Sequence, residues 1–198
     1  GAISKELQEQ ILKRNGQIIV ISDLPFEWVP LNGIPISFTH DVCRLPASAL
    51  HSLMGSFAYN NFMKFTIGAE IITRTLVIFG SNEPAFINWR ERCQELADVH
   101  GFNTAACNSI LEVKEAMNKF QPDLVIFDCH GSYDRKTKMT FLCIGTEVLD
   151  HSSIVANQIS APLIFLSACG TAPTYGLVNS IANAFFEAGS LSVTTTYL

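Results

Sequence analysis

Three short runs, TLVIFG at 75–80, DLVIFD at 123–128 and PLIFLS at 162–167, are apolar at nearly every position rather than at every second one. A strand with one face in water alternates apolar and polar residues, whereas a strand covered on both faces, as in a helix-sandwiched parallel sheet, has no polar face to keep. Parallel strands also need long crossover connections. The intervening sequence supplies them: PAFINWRERCQELADVHG opens on a proline and closes on a glycine, and SILEVKEAMNKF follows with a serine at its start, both patterns of helix boundaries. The sequence therefore predicts an α/β three-layer sandwich with an open, mostly parallel sheet of about six strands. These are TLVIFG, FNTAAC, DLVIFDC, TFLCIG, PLIFLSAC and SLSVTTTY, with further helices over LDHSSIVANQI and over LVNSIANAFFEAG, the last capped by Gly189.

Upstream of this alternation, residues 1–16 read as a helix ending on Asn15-Gly16 and QIIVIS as a short strand. Pro25, Pro30 and Pro35 then interrupt any helix, so a turn-rich connection is expected, ending in a strand near 36–42. At 198 residues, with 48% hydrophobic and 16% charged side chains, residues 1–198 suit a single domain with a buried core. The opening without methionine and the uncapped apolar ending suggest an excised piece lacking the last elements of its domain. No internal repeat or low-complexity segment is present. A net charge of −5 argues against a nucleic-acid partner. No apolar run approaches the ~20 residues of a membrane span, so no membrane partner is expected either. The six cysteines form no C-x-x-C pair, which speaks against a metal site and for reduced thiols in the cytoplasm.

Chemistry in open parallel sheets gathers beyond the carboxyl ends of the strands. Two such ends stand out: IFDCHG delivers His130 and FLSACGT delivers Cys169. If their strands are neighbours, ~4.8 Å apart, the two side chains come within reach. Cys129, although adjacent in sequence, points to the opposite face while the strand persists. An imidazole beside a thiol favours the thiolate that attacks a carbonyl, and then protonates the leaving amine. The backbone N–H groups of Gly131 and Cys169 are the candidates for an oxyanion site. The same two residues also read as a small core thiol and a hydrogen-bonded loop histidine. Cys93 falls in a helix, Cys107 and Cys143 in strands and Cys43 in a connection, all as packing residues. GTAPTYG matches neither a dinucleotide fingerprint nor a phosphate loop, and no G-x-S-x-G is present. A flavodoxin-like nucleotide binder or a serine hydrolase is therefore disfavoured, and no cofactor is expected.

At these residues the sequence resembles the CHAT family, caspase-like cysteine peptidases of prokaryotes that are often joined to tetratricopeptide repeats. The likeness lies in the strand ending IFDCHG, the strand ending LSACGT, and NSIANAFFEAGSLSVTTTYL, which is similar to the family's A-x-x-F-x-x-x-G-A-x-x-V stretch. Upstream, IIVISDLPFEWVPLNGIPISFTHDVCRLPAS is similar to the family's early strand and its following segments. The resemblance implies a caspase-type fold, His130 as general base and acid, and Cys169 as nucleophile. It further implies a bacterial endopeptidase acting on a protein or peptide, with a sensing domain, such as tetratricopeptide repeats, outside this chain. A caspase-like module that binds partners without cleaving them is the alternative. Cys129 departs from the glycine that commonly precedes the family's histidine, and the usual terminal helices are absent. An acidic pocket would select Arg or Lys before the cleaved bond. Asp128, Asp134 and Glu147, with Asp150, are the candidates, although a capping or solvated role is favoured for each. GSYDRKTKMT reads as a flap or, more simply, an exposed hairpin turn.

Overall fold

The computed structural model describes residues 3–14, 16–22, 24, 26–45, 67–137, 139–169 and 180–196. They fall into two compact units, one up to residue 45 and one from residue 67 onward.

The first unit holds α1 (Lys5–Leu12), β1 (Ile18–Ile21), β2 (Pro30–Leu31), β3 (Ile34–Pro35) and β4 (Val42–Leu45). Ser4 caps α1, its hydroxyl accepting from the Leu7 N–H at 3.2 Å. The helix stops at Leu12, short of the Asn15-Gly16 expected to end it. The His40 ring explains this, because its Nε2 lies 3.2 Å from the Ile11 carbonyl oxygen and 3.1 Å from that of Arg14. It thereby satisfies acceptors that a further turn would otherwise use. The strand expected near 36–42 is instead a 3-10 turn over Ile36–Phe38, with the Thr39 and His40 N–H groups both returning to the Ile36 carbonyl. β4 starts only at Val42 and pairs in parallel with β1. Cys43 thus lies in a strand, exposed, rather than packed in a connection. Ile11, Leu31 and Ile36 form the small core of this unit.

The second unit holds β5 (Thr75–Phe79), α2 (Pro84–His100), β6 (Asn103–Ala106), α3 (Ile110–Phe120), β7 (Leu124–Asp128), β8 (His130–Asp134), β9 (Met139–Ile144), β10 (Glu147–Leu149), α4 (His151–Asn157), β11 (Leu163–Ser167), α5 (Ile181–Glu187) and β12 (Ser192–Thr194). β5, β6, β7, β11 and β12 make one parallel sheet in the order β12-β11-β7-β5-β6. It has five strands among the described residues, not about six. The difference is TFLCIG, which lies within β9 and joins β8 and β10 in a separate antiparallel sheet. A tight hairpin after β7 sends the chain back instead of across the sheet. The segment GSYDRKTKMT is the body of that β8–β9 hairpin, with Lys138 outside the described residues.

Alternate residues of the parallel strands face two cores. Leu76, Ile78, Val125, Phe127, Ile164 and Leu166 pack with Val113 and Met117 of α3, Ile154 of α4 and Ile181 and Phe185 of α5. Val77 and Phe79 pack with Cys93 of α2 and with Phe102 and Ile126 on the opposite face. The continuous apolar run of β5 is thus covered on both faces, whereas Phe165 of β11 is exposed among the described residues. Pro84 opens α2 and Gly101 closes it in the left-handed region, φ 79°. The helix expected over 177–189 is described from Ile181, capped by the Ser180 hydroxyl, and its first residues lie outside the described residues.

Gly80, just after β5, joins the parallel sheet to the start of the β9–β10 turn. Its N–H donates to the Asp128 carbonyl (3.1 Å) and its own carbonyl accepts from the Gly145 N–H (2.8 Å). A Cβ there would sit 2.7 Å from Ile144 Cδ1, 2.8 Å from Cys129 Cβ and 2.8 Å from the Cys143 carbonyl oxygen. Two of those are held by strand backbone, so the neighbours cannot give way cheaply. Gly80→Ala is therefore expected to destabilise the protein by about 1–3 kcal/mol. The readout is a lower urea midpoint at unchanged slope; an unchanged midpoint would show that the sheets do not meet here.

Candidate active site

The chain leaves β5 for β6 on one side, then crosses back past β5 to β7, so the direction of winding reverses between β5 and β7. Such a reversal opens a crevice beyond the carboxyl ends of the strands. Glu83 reaches this point from the β5–α2 connection and His130 from the end of β7. The Nε2 of His130 lies 3.0 Å from Glu83 Oε1. Glu83 occupies the N-cap position of α2 without a side-chain bond to the helix's own amides. Its carboxylate is free to turn toward the histidine. Phe86, in the first turn of α2, packs edge-on against the imidazole with ring centres 4.7 Å apart. Neither Glu83 nor Phe86 was expected at the site. The available signal was Glu-Pro at a helix start beside a strand end, which marks a cap position but not its partner.

β7 and β11 are neighbours, as a meeting of the two strand ends requires, and Asp128 lies opposite Ser167. The same offset of 39 residues separates His130 from Cys169, each two places beyond its last paired residue. His130 is the first residue of β8, paired with Cys143 of β9, and so lies in a strand rather than a loop. Its side chain is half exposed, while Cys129 is buried in the core with Ile144 and Leu142. The expected opposition of these two neighbours is what their burial shows. Cys169 is exposed at the turn after β11, and the hydroxyl of Thr196, beyond β12, donates to the carbonyl of the preceding Ala168. Gly131 is the second residue of β8, an edge strand opposite Leu142. Alternate N–H groups of an edge strand point away from its partner. GTAPTYG lies outside the described residues.

The four acidic candidates are all engaged locally. Asp128 is buried; one carboxylate oxygen accepts from the Ser167 hydroxyl at 3.3 Å and the other has no hydrogen-bond partner. Burial pushes its pKa up, and the Ser167 bond opposes this. Asp134 accepts from the Lys136 N–H (2.8 Å) and the Thr137 hydroxyl (2.9 Å) within the hairpin turn, and these bonds hold its carboxyl below the usual range. Glu147 accepts from the Ile110 N–H at the start of α3 (2.7 Å). Asp150 caps α4 through the Ser153 N–H (2.8 Å).

The thiols separate sharply. Burial pushes Cys93, Cys129 and Cys143 up, with the Asp128 charge adding to the first two, and burial followed by the Glu112 charge pushes Cys107 up to about 11. Cys107 lies just past β6, buried, rather than within a strand. Only Cys43 and Cys169 are exposed. Among the described residues, no group of three or more His, Cys, Asp or Glu could hold a metal ion, and no helix is long and apolar enough to cross a membrane.

A five-stranded parallel sheet with helices, and with histidine, cysteine and carboxylate at its strand ends, defines an α/β protein compatible with the caspase-like fold. A model of the CHAT domain family matches residues 90–196, more than half of the chain, and the chain belongs to that family. It is a family of caspase-like cysteine peptidases. The matched stretch contains His130 and Cys169. Glu83 lies before it, as does the upstream segment from Ile18 whose likeness to the family was noted above. A search of curated proteins gave no match.

The burial pattern predicts which thiols react. Brief treatment of the native protein with chloroacetamide at pH 7 should modify Cys43 and Cys169 and spare Cys93, Cys107, Cys129 and Cys143, whose thiols burial pushes up and so keeps protonated. All six should react in urea. Peptide mass mapping reads the result, and early modification of Cys129 would contradict its place in the core.

Proposed function

We propose that this chain is a cysteine endopeptidase domain that cleaves a protein partner, with Cys169 as nucleophile and His130 as base and then acid. The imidazole takes the thiol proton, and the thiolate attacks the scissile carbonyl carbon, forming a C–S bond while the carbonyl oxygen becomes an oxyanion. The N–H groups of Gly131 and Cys169 receive that charge. The C–N bond breaks as His130 gives its proton to the leaving amine. Water, losing a proton to the same imidazole, then hydrolyses the thioester and restores the thiol. The steps balance without a cofactor.

The observation that carries this reading is the in-register pairing of β7 with β11, which gives His130 and Cys169 the same offset as the paired Asp128 and Ser167. The exposure of Cys169 supports it, as does the burial of the thiols of Cys93, Cys107 and Cys129. The local bonds of Asp128, Asp134 and Glu147 favour structural roles for these carboxylates over a pocket for a basic side chain. A cytoplasmic site of action in a bacterium, and a sensing domain such as tetratricopeptide repeats beyond this chain, rest on the family resemblance alone.

Cys169→Ala and His130→Ala should each reduce cleavage of a peptide library by about a thousandfold or more, and Cys169→Ala should abolish labelling by peptidyl acyloxymethyl ketones. Labelling that persists without Cys169 contradicts the assignment. A folded protein that neither labels nor cleaves would favour the alternative, a caspase-like module that binds its partner intact.

A further inference from the structure

We infer that Glu83 is the positioning residue of the site, fixing the tautomer and orientation of His130 so that Nδ1 is the nitrogen left for Cys169. This inference rests on the reading of Cys169 and His130 as a working pair. An ionised carboxylate can only accept a hydrogen bond. The contact of Glu83 Oε1 with Nε2 at 3.0 Å therefore puts the hydrogen on Nε2. In the neutral ring Nδ1 then keeps its lone pair, which is what a base needs to take a thiol proton.

Three features make Glu83 suited to this task rather than to holding the fold together. Its own helix does not use it, since the cap position is occupied without a side-chain bond. Its backbone is fixed from behind, because the Glu83 N–H donates to the hydroxyl of the buried Ser81 at 3.2 Å. And the pair is solvent-facing, with side chains 65% and 49% exposed, so it contributes little to stability. Phe86 packs edge-on against the ring and limits rotation of the imidazole away from the carboxylate. The arrangement is a nucleophile, a base and an orienting carboxylate contributed by three different strand ends: β11, β7 and β5.

The test is the rate at which chloroacetamide alkylates Cys169 at pH 7, a probe that needs no substrate recognition, read alongside the 15N spectrum of the His130 ring. His130→Ala should slow alkylation by about tenfold or more. Glu83→Ala should slow it by about three- to tenfold, less than a buried orienting group would cost, and release the ring into a mixture of tautomers at an unchanged melting temperature. Glu83→Gln keeps an accepting oxygen, so it should stay within about twofold of the parent and hold the Nε2–H tautomer. If Glu83→Ala reacts at the parent rate with its tautomer unchanged while His130→Ala is slow, Glu83 does not position the histidine and the Cys-His pair stands. If His130→Ala itself reacts at the parent rate, the pair fails and the role of Glu83 with it.

Discussion

The parallel pairing of β7 with β11, with Asp128 opposite Ser167, is the constraint on which the proposed site depends. Parallel strands run ~4.8 Å apart, so a fixed register determines which residues face one another where the strands end and the chains diverge. On the proposed reading those residues are His130 and Cys169, each two places beyond the pairing of Asp128 with Ser167. A slip of one place would turn every side chain of β11 to the other face, exchanging Leu166 of the main core for the half-exposed Phe165. The same apolar packing that selects the register therefore sets where the two strands end.

Asp128 shows what this arrangement costs. A carboxylate with one oxygen unpartnered and little access to water is an expensive group to bury. Its raised pKa means the folded state binds the proton more tightly than the unfolded chain does. The stability that protonation gives is present in acid and is lost as the pH climbs from about 3.9 through the folded value. In its ionised form the group weakens the fold where the two strands end, while its bond to Ser167 ties those strands together.

The sheet was legible because its signal is strong: continuous apolar runs such as that of β5, buried at every position, are those of parallel strands, and Pro84 and Gly101 bracket a helix by backbone chemistry alone. TFLCIG misled because an apolar strand carries no mark of its partner. Its alternating burial in β9 suits an antiparallel ribbon, and the hairpin after β7 follows from a loop too short for a crossover. The first unit was harder. The ring of His40 ends α1 from 26 residues away, a contact no local pattern carries. Yet Asn32-Gly33, with φ 51° and 82°, is the pair expected of a tight hairpin and could have been read. At the site, the strand-end histidine and cysteine were visible in sequence, whereas Glu83 became visible only once β5 was seen to lie beside β7.

The account turns on His130 facing Cys169. The most direct measurement replaces that histidine with a thiol and asks whether the two sulfurs can join. In a His130→Cys variant carrying Cys143→Ala to remove the facing thiol of β9, mild oxidation should link position 130 to Cys169, since parallel neighbours at matched heights fall within the 4.4–6.8 Å Cα separation of a disulfide. Mass mapping of the linked peptide would bear this out. A folded protein in which both thiols remain free, or in which position 130 pairs elsewhere, would contradict it.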